Sequence, residues 1–327
     1  MLAFIVRRVL FGLLTLVIVS MGCFIIIDAA PGDALSAEIQ KLQSRGATVT
    51  QAQIEALEER YRVNDPLPVK YWDWASSFVQ GDFGYSFSNN AEVNELVGSR
   101  IGFSVMLALM ALILSWGIAI PIGVYSATHR YTIPDYIITL IQFIGVAVPE
   151  FLLALFLMVV AEQAGIDSTG LFSDEYETAP WSVAKLLDMM THLWLPVVVI
   201  AFGSTAWLTR VMRANLFDVL NQQYVQTARA KGVLEKKVIW KHAVRNALHP
   251  LVMALGSTLP ILISGEAIIG IVLNLPTMGP LLITALQEAD MFLAVTLLMF
   301  SSMLLIVGNI LADILLAWID PRVRTVE

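Results

Sequence analysis

Six stretches of this chain are long enough and poor enough in charge to cross a lipid bilayer, and nothing else in the sequence constrains the fold as much. About 20 helical residues at 1.5 Å each cross a 30 Å hydrocarbon core. Residues 9–27, 101–128, 189–209 and 291–312 carry no charged side chain; residues 136–161 carry only Glu150, and residues 251–273 only Glu266. Lipid offers backbone amides no partners, so each stretch must be a helix that satisfies its own N–H and C=O groups. The expected fold is therefore all-α, with six transmembrane helices. Composition agrees: 57% of residues are hydrophobic and 14% charged, where soluble domains hold roughly 45–50% and about 25%. With 20 Gly, 13 Pro and one Cys, a collagen-like, disordered or disulfide-built chain is excluded. Cys23, alone inside the first apolar run, is read as packing.

Charge gives the orientation, because Lys and Arg gather in cytoplasmic segments. With the N-terminus inside, thirteen of the 20 basic residues and six of the 27 acidic ones fall on the inner side, a local charge of +7. The outer segments hold seven basic and nineteen acidic residues, or −12. Both ends are therefore expected in the cytoplasm. The net charge of −7 argues against nucleic acid as a partner, but it hides a basic inner face. Arg7 and Arg8 before an apolar run also suit a secretory signal. Pro31 directly after Ala29 and Ala30 spoils a small-residue cleavage site, so the first run is read as a retained helix.

The chain divides into three parts: the N-terminus and first transmembrane helix, 1–27; an extracytoplasmic loop subdomain, 28–100; and a core of five further helices, 101–327, with a cytoplasmic loop at 210–250. In the outer loop, Thr50 and Gln53 form a capping-box pattern before Ile54, Leu57 and Tyr61 at helical spacing. Pro66 and Pro68 stop that helix, and Tyr71, Trp72 and Trp74 suit a membrane interface. Outer segment 162–188 is acidic and expected to be partly helical. The inner loop reads as two helices. One covers 214–231 and ends at Gly232, with Lys231 well placed for the helix dipole; the other covers 235–248, before Pro250 opens the fifth span. Thr227, Ala228 and Ala230 give the first of these a small-residue face that another protein can approach closely. A basic amphipathic loop resting on anionic lipid would carry the same pattern.

Spans two to five each hold an interior proline, Pro121, Pro149, Pro196 and Pro260. Proline removes a backbone bond that neighbours or water must replace. Moving, cavity-lining central helices are therefore expected, with static kinks as the plainer reading. Pro149 and Glu150, and Gly265 and Glu266, are the candidates for a translocation path, since carboxylates inside spans are costly without a purpose. Glu150 lies near enough to the outer end of its span to reach interfacial water instead.

At Tyr224-Val225-Gln226-Thr227-Ala228-Arg229-Ala230-Lys231-Gly232 the inner loop resembles the coupling motif of ABC importer permeases. Further matches are Arg7-Arg8, Ala30-Pro31-Gly32-Asp33, Gly81-Asp82-Phe83-Gly84-Tyr85-Ser86, Gly117-Ile118-Ala119-Ile120-Pro121-Ile122-Gly123, His242-Ala243-Val244-Arg245-Asn246-Ala247-Leu248 and Asp320-Pro321-Arg322. With all of these in order, nearly the whole chain resembles the dipeptide/oligopeptide permease family, first of two paired subunits. The resemblance implies a multi-pass subunit of a bacterial inner membrane with the six-helix ABC importer permease fold. It would form half of a translocation path with a homologous second permease, dock one of the complex's two ATPase subunits, and receive a peptide or similar small oligomeric solute from a periplasmic binding protein. Tyr224, Thr227, Ala228, Arg229, Ala230, Lys231 and Gly232 would carry the ATPase coupling. Some positions depart from the pattern. Gln226 stands where the general motif has Glu, and Thr227 where it has Ala. Gly270 stands where the subfamily tends to carry Glu, and Thr277 replaces a usual Gly. Glu266 lies one turn before Gly270 on the same helical face, so a carboxylate could still reach the same cavity. The last two changes count against a plain peptide specificity.

No Gly-x-x-x-x-Gly-Lys-Ser/Thr occurs, so this chain is not expected to be the ATPase. ATP and Mg are assigned to the partner subunits, and no catalytic residue, metal or cofactor is assigned here. His129, His192, His242 and His249 are too dispersed for a metal cluster. The competing function is a self-sufficient ion- or proton-coupled carrier using Glu150 and Glu266. A membrane anchor without transport is disfavoured by the four prolines.

Overall fold

The computed structural model describes residues 2–28, 65–86, 88–167 and 169–319 of the 327. The capping-box pattern at 50–53, the segment 30–33 and the ending 320–322 lie outside the described residues. In chain order the elements are α1 (Leu2–Asp28), α2 (Leu67–Val79), β1 (Tyr85–Ser86), β2 (Ala91–Glu92), α3 (Val93–Thr128), α4 (Ile133–Ala147), α5 (Glu150–Gln163), α6 (Asp174–Glu177), α7 (Val183–Leu220), α8 (Gln223–Ala230), α9 (Glu235–Lys237), a π-helical turn (Val238–Ala243), α10 (Val244–Ala247), α11 (His249–Val272), α12 (Met278–Gln287) and α13 (Met291–Ile319).

Among the described residues, α1, α3, α7 and α13 are each long and apolar enough to cross a membrane, and α4 with α5 qualifies as a bent pair. The fifth expected run lies in α11, whose 24 residues give about 36 Å of helix. The third expected run is not one kinked helix. It is broken at Val148 and Pro149, and its halves are bent by 105°. Pro149 disfavours the helical region for the residue before it, and Val148 is extended at φ −82, ψ 123. Pro121 and Pro196 sit inside the continuous helices α3 and α7.

The most extensive helix contact joins α3 to α7, and α11 with α13 comes next. Leu107, Ala111, Leu193, Ile200 and Ile269 are buried at the centre of the largest apolar cluster. A Cβ on Gly123 would stand 2.7 Å from Met212 Cβ, so only glycine lets α3 and α7 approach this closely. α1 packs on α13, and Arg8 Nε meets Asp313 Oδ2 at 2.9 Å. That contact puts the start of α1 and the end of α13 on one side of the bundle. Most of α4 is exposed and apolar, with Ile133, Tyr136, Leu140 and Phe143 all facing outward, as lipid or a membrane partner requires.

The opposite side of the bundle, which carries residues 65–92, is fastened by aromatic and polar contacts. Trp74 is buried and Trp72 exposed, so α2 packs one aromatic against Phe24 of α1 and leaves the other free. Gly81 and Gly84 adopt positive φ, while the Asn94 side chain donates to Gly81 O and accepts from the Phe83 amide. Ser86 and Ser88 donate to the buried Asp290 at 2.6 and 2.7 Å. The 81–86 motif is thus a clip from the outer loop to the start of α13. The acidic outer segment is partly helical as expected, with α6 in its middle.

Candidate functional site

The inner loop is two helices, but their boundaries differ from the expected 214–231 and 235–248. α7 runs on to Leu220, Asn221 and Gln222 turn the chain, and α8 restarts at Gln223. The turn is stabilised by Gln226, whose Nε2 donates to the Leu220 carbonyl at the end of α7. Within α8 only Val225 is buried, packed with Leu216, Leu220, Val238, Ala243 and Val244. Tyr224, Thr227, Ala230, Lys231 and Gly232 are exposed, and Ala228 and Arg229 half-buried. The helix ends in a Schellman motif. The Val233 amide donates to Ala228 O and the Gly232 amide to Arg229 O, with Gly232 at φ +75, a conformation that glycine adopts without strain.

Two contacts clasp α8 to the second half of the loop. Arg229 Nη2 meets Glu235 Oε1 at 2.7 Å, and Asn246 Nδ2 donates to the Tyr224 hydroxyl at 2.6 Å. Hydrogen bonds from Arg229 hold the Glu235 carboxyl below its ordinary pKa, and the carboxylate in turn raises that of Arg229. The expected second helix is interrupted by the π turn, after which α11 begins with Pro250 in its first turn.

Above this loop sits a polar knot that sequence reasoning missed. Asp135, in the first turn of α4, is buried and accepts from Ser126 Oγ, from the Tyr131 amide at 3.0 Å and from Arg213 Nη2 at 2.7 Å. Arg213 belongs to α7, two turns before its end. The end of α3, the start of α4 and the last turns of α7 are therefore tied together next to the loop. Asp135 reads as a loop charge in sequence, and its partner lies 78 residues away, so no local signal pointed to the pair.

The intramembrane candidates separate into two places. Glu150, half-buried, opens α5 after the break. A Cβ on Gly203 of α7 would stand 3.0 Å from its Oε1, and one on Gly265 of α11 would stand 3.3 Å from its Oε2. The fold thus brings Pro149, Glu150 and Gly265 together, and adds Gly203. Glu266 lies elsewhere. It is fully buried, and Ser104 Oγ of α3 donates to its Oε1 at 2.6 Å. The same Ser104 oxygen accepts from the Met278 amide at 2.8 Å. α12 has no cap from its own Thr277; the Ser104–Glu266 pair caps it from two other helices, an anion placed at a helix N-terminus. A Cβ on Gly279 would lie 2.5 Å from Ala267 Cα, so the start of α12 rests directly on the α11 backbone. At Gly270 a Cβ would meet Pro280 Cγ at 2.6 Å and Thr277 Oγ1 at 3.1 Å. A glutamate at 270 has no room here, and Thr277 occupies part of the space it would need. An apolar cavity of about 350 Å³ lies between α3, α4 and α7, with Phe202 and Gln142 in its wall. Gln142 Nε2 is buried without a partner.

Comparison with known proteins agrees over the full length. The model of the family described as binding-protein-dependent transport system inner membrane component matches residues 119–325, and that of its N-terminal region matches residues 1–108. The chain is 37% identical to the oligopeptide transport system permease protein AppB of Bacillus subtilis over 326 residues, covering 99% of this chain and 100% of that one. It is 30% identical to the oligopeptide transport system permease protein OppB of Haemophilus influenzae, covering 99% and 100%. It is also 30% identical to the glutathione transport system permease protein GsiC of Escherichia coli K12, covering 99% of each chain.

Proposed function

The chain belongs to the family of binding-protein-dependent transport system inner membrane components, and we propose that it is the permease subunit of an ATP-driven ABC importer for a peptide or similar small oligomeric solute. The full-length likeness to oligopeptide permeases carries this reading and favours it over a self-sufficient carrier. In it, a homologous second permease completes the path, and two ATPase subunits bind ATP and Mg. A periplasmic binding protein delivers solute to the outer loops. Both termini face the cytoplasm of a bacterial inner membrane.

The geometry of the inner loop supports a coupling role. α8 is short and rigidly ended, and it is clasped on one side and free on the other. Tyr224, Thr227, Ala228, Arg229, Ala230, Lys231 and Gly232 would meet the ATPase. Movement of α8 would pass into α7 directly and, through Arg213 and Asp135, into α4 and the broken α4–α5 pair. Pro149, Glu150 and Gly265 would border the path, with Glu266 behind them holding α12. Alternating access then results from ATP-driven reorientation of these helices around that junction.

Gly232 tests the coupling. A Cβ there would meet nothing within 4 Å, so the side chain of Gly232→Trp starts into open space, where it obstructs a docking partner. Strain at positive φ adds about 1–2 kcal/mol. In the reconstituted complex, solute-stimulated ATPase activity should fall at least about tenfold, equivalent to roughly 1.4 kcal/mol of lost coupling. Membrane abundance should stay at the wild-type level. Wild-type stimulation in this variant would remove α8 from the coupling path.

A further inference from the structure

Pro149 has no N–H, so the Gly145 carbonyl one turn earlier loses its helical partner. No other described residue donates to it. The carboxylate of Glu150 is in the same condition, since no described residue gives it a hydrogen bond or an ion pair. Both acceptors border one small space. The point that a Cβ on Gly203 would occupy lies 3.0 Å from Glu150 Oε1 and 3.7 Å from Gly145 O. On the far side of the carboxylate, Gly265 again leaves the wall without a side chain.

Taking a carboxylate even partly out of water disfavours its charged form unless a cation or donors compensate. The N-terminus of α5 returns only a small part of that loss. The remaining deficit calls for a positive charge that the described residues do not bring. A metal ion fits poorly, because no group of three His, Cys, Asp or Glu side chains gathers among the described residues. A primary ammonium fits well: it is a compact cation with three donors, and here it finds one charged and one neutral acceptor with glycine on two sides.

We propose that the Glu150–Gly145 junction binds the protonated amine of the transported solute, as a peptide N-terminus would supply. This deepens the permease reading and rests on it. Glu150 forms the charge-assisted bond, the Gly145 carbonyl takes a second N–H, and Gly203 and Gly265 give the ammonium access. The break in the third span thereby creates the site: proline frees one acceptor and places the other at the head of the next helix.

The test uses the full chain in nanodiscs, without ATPase, so that it can fail independently of the coupling experiment. Dicyclohexylcarbodiimide modifies carboxyl groups in apolar surroundings, and the modified residue is located by peptide mass spectrometry, with Glu150→Gln confirming the assignment. Tri-alanine should slow modification of Glu150 about tenfold once it exceeds its dissociation constant about tenfold. N-acetyl-tri-alanine, which has no amine, should leave the rate unchanged, and so should sodium chloride at the same concentration. Glu150→Asp should be modified and protected at higher tri-alanine concentrations. Equal protection by the acetylated peptide, protection by sodium, or no protection up to about 0.1 M, a hundredfold above a millimolar site, would each overturn the proposal. A Glu150 that the reagent cannot reach would overturn it as well.

Discussion

Two carboxylates lie inside the spans, and the molecule treats them in opposite ways. Glu266 is fully buried, bonded to Ser104, and built into the cap of α12. Glu150 is half-buried, unbonded and walled by glycines on two helices. The first region is closed: through Oε1 its acid joins α3, α11 and α12 by way of Ser104, while Oε2 stays buried without a hydrogen bond among the described residues. The second is open, with two acceptors and no donor among the described residues. A charge inside a membrane is therefore not a sufficient sign of a transport path. What separates the two is that the surrounding chain has bonded one oxygen of Glu266 and enclosed the whole group, and has done neither for Glu150.

The largest effect expected from this contrast is on stability. Glu266→Ala removes the acceptor of Ser104 and leaves a cavity, and should cost about 3 kcal/mol. Glu150→Ala breaks no bond and removes a carboxylate that nothing in the described chain compensates, so it should cost nothing or stabilise the fold. Denaturant unfolding of the full chain in mixed micelles compares the two. Equal losses would erase the distinction between a built-in acid and an available one.

Ser104→Ala sharpens the same contrast at a smaller scale. It deprives both Glu266 Oε1 and the Met278 amide of their partner, and should cost about 1–2 kcal/mol. Because all three groups act as one unit, the loss in Glu266→Ala/Ser104→Ala should fall short of the sum of the single losses by at least about 0.5 kcal/mol. Strict additivity would mean that Glu266 and Ser104 stabilise the fold separately, and that α12 is not capped by the pair.

The sequence made one side of this comparison much easier to read than the other. Uncharged runs located the spans because length and the absence of charge are local properties. Gly232 and Pro250 marked a helix end and a helix start for the same reason, and the structure has both. The 105° break at Pro149 was less legible, since Pro121 and Pro196 have the same local signature and leave their helices continuous. The turn at Asn221 and Gln222 escaped because both residues tolerate a helix, and the turn depends on Gln226 reaching back to Leu220. Ser104 was invisible: a serine in an apolar span bonds its own helix as readily as a distant acid. Glu150 and Glu266 looked alike in sequence, each a lone acid in an apolar run. Their difference comes from what α3, α7 and α11 bring to them, and that is long-range packing.

A third carboxylate, outside the membrane, sets the scale for an ion pair that water reaches. Glu235 meets Arg229 at 2.7 Å, with side-chain exposures of 54% and 34%. Its pKa in the folded chain lies below the ordinary value because Arg229 hydrogen-bonds the charged form. The folded state therefore favours the ionised carboxylate. The stabilisation is fully present above the unfolded pKa of about 4.3, and fades as pH falls below it through the lower folded value. Solvent screening keeps the contribution under about 0.5 kcal/mol, smaller than the loss expected from either Glu266→Ala or Ser104→Ala. Hydrogen exchange at the Gly232 and Val233 amides, which close α8, should quicken no more than about twofold between pH 6 and pH 3.5 after correction for intrinsic rates. In Glu235→Gln that corrected ratio should be close to one, and high salt should reduce the wild-type difference. A change of tenfold or more would mean that the clasp on α8 behaves like the closed Glu266 region, and that exposure is not what separates strong acids from weak ones in this chain.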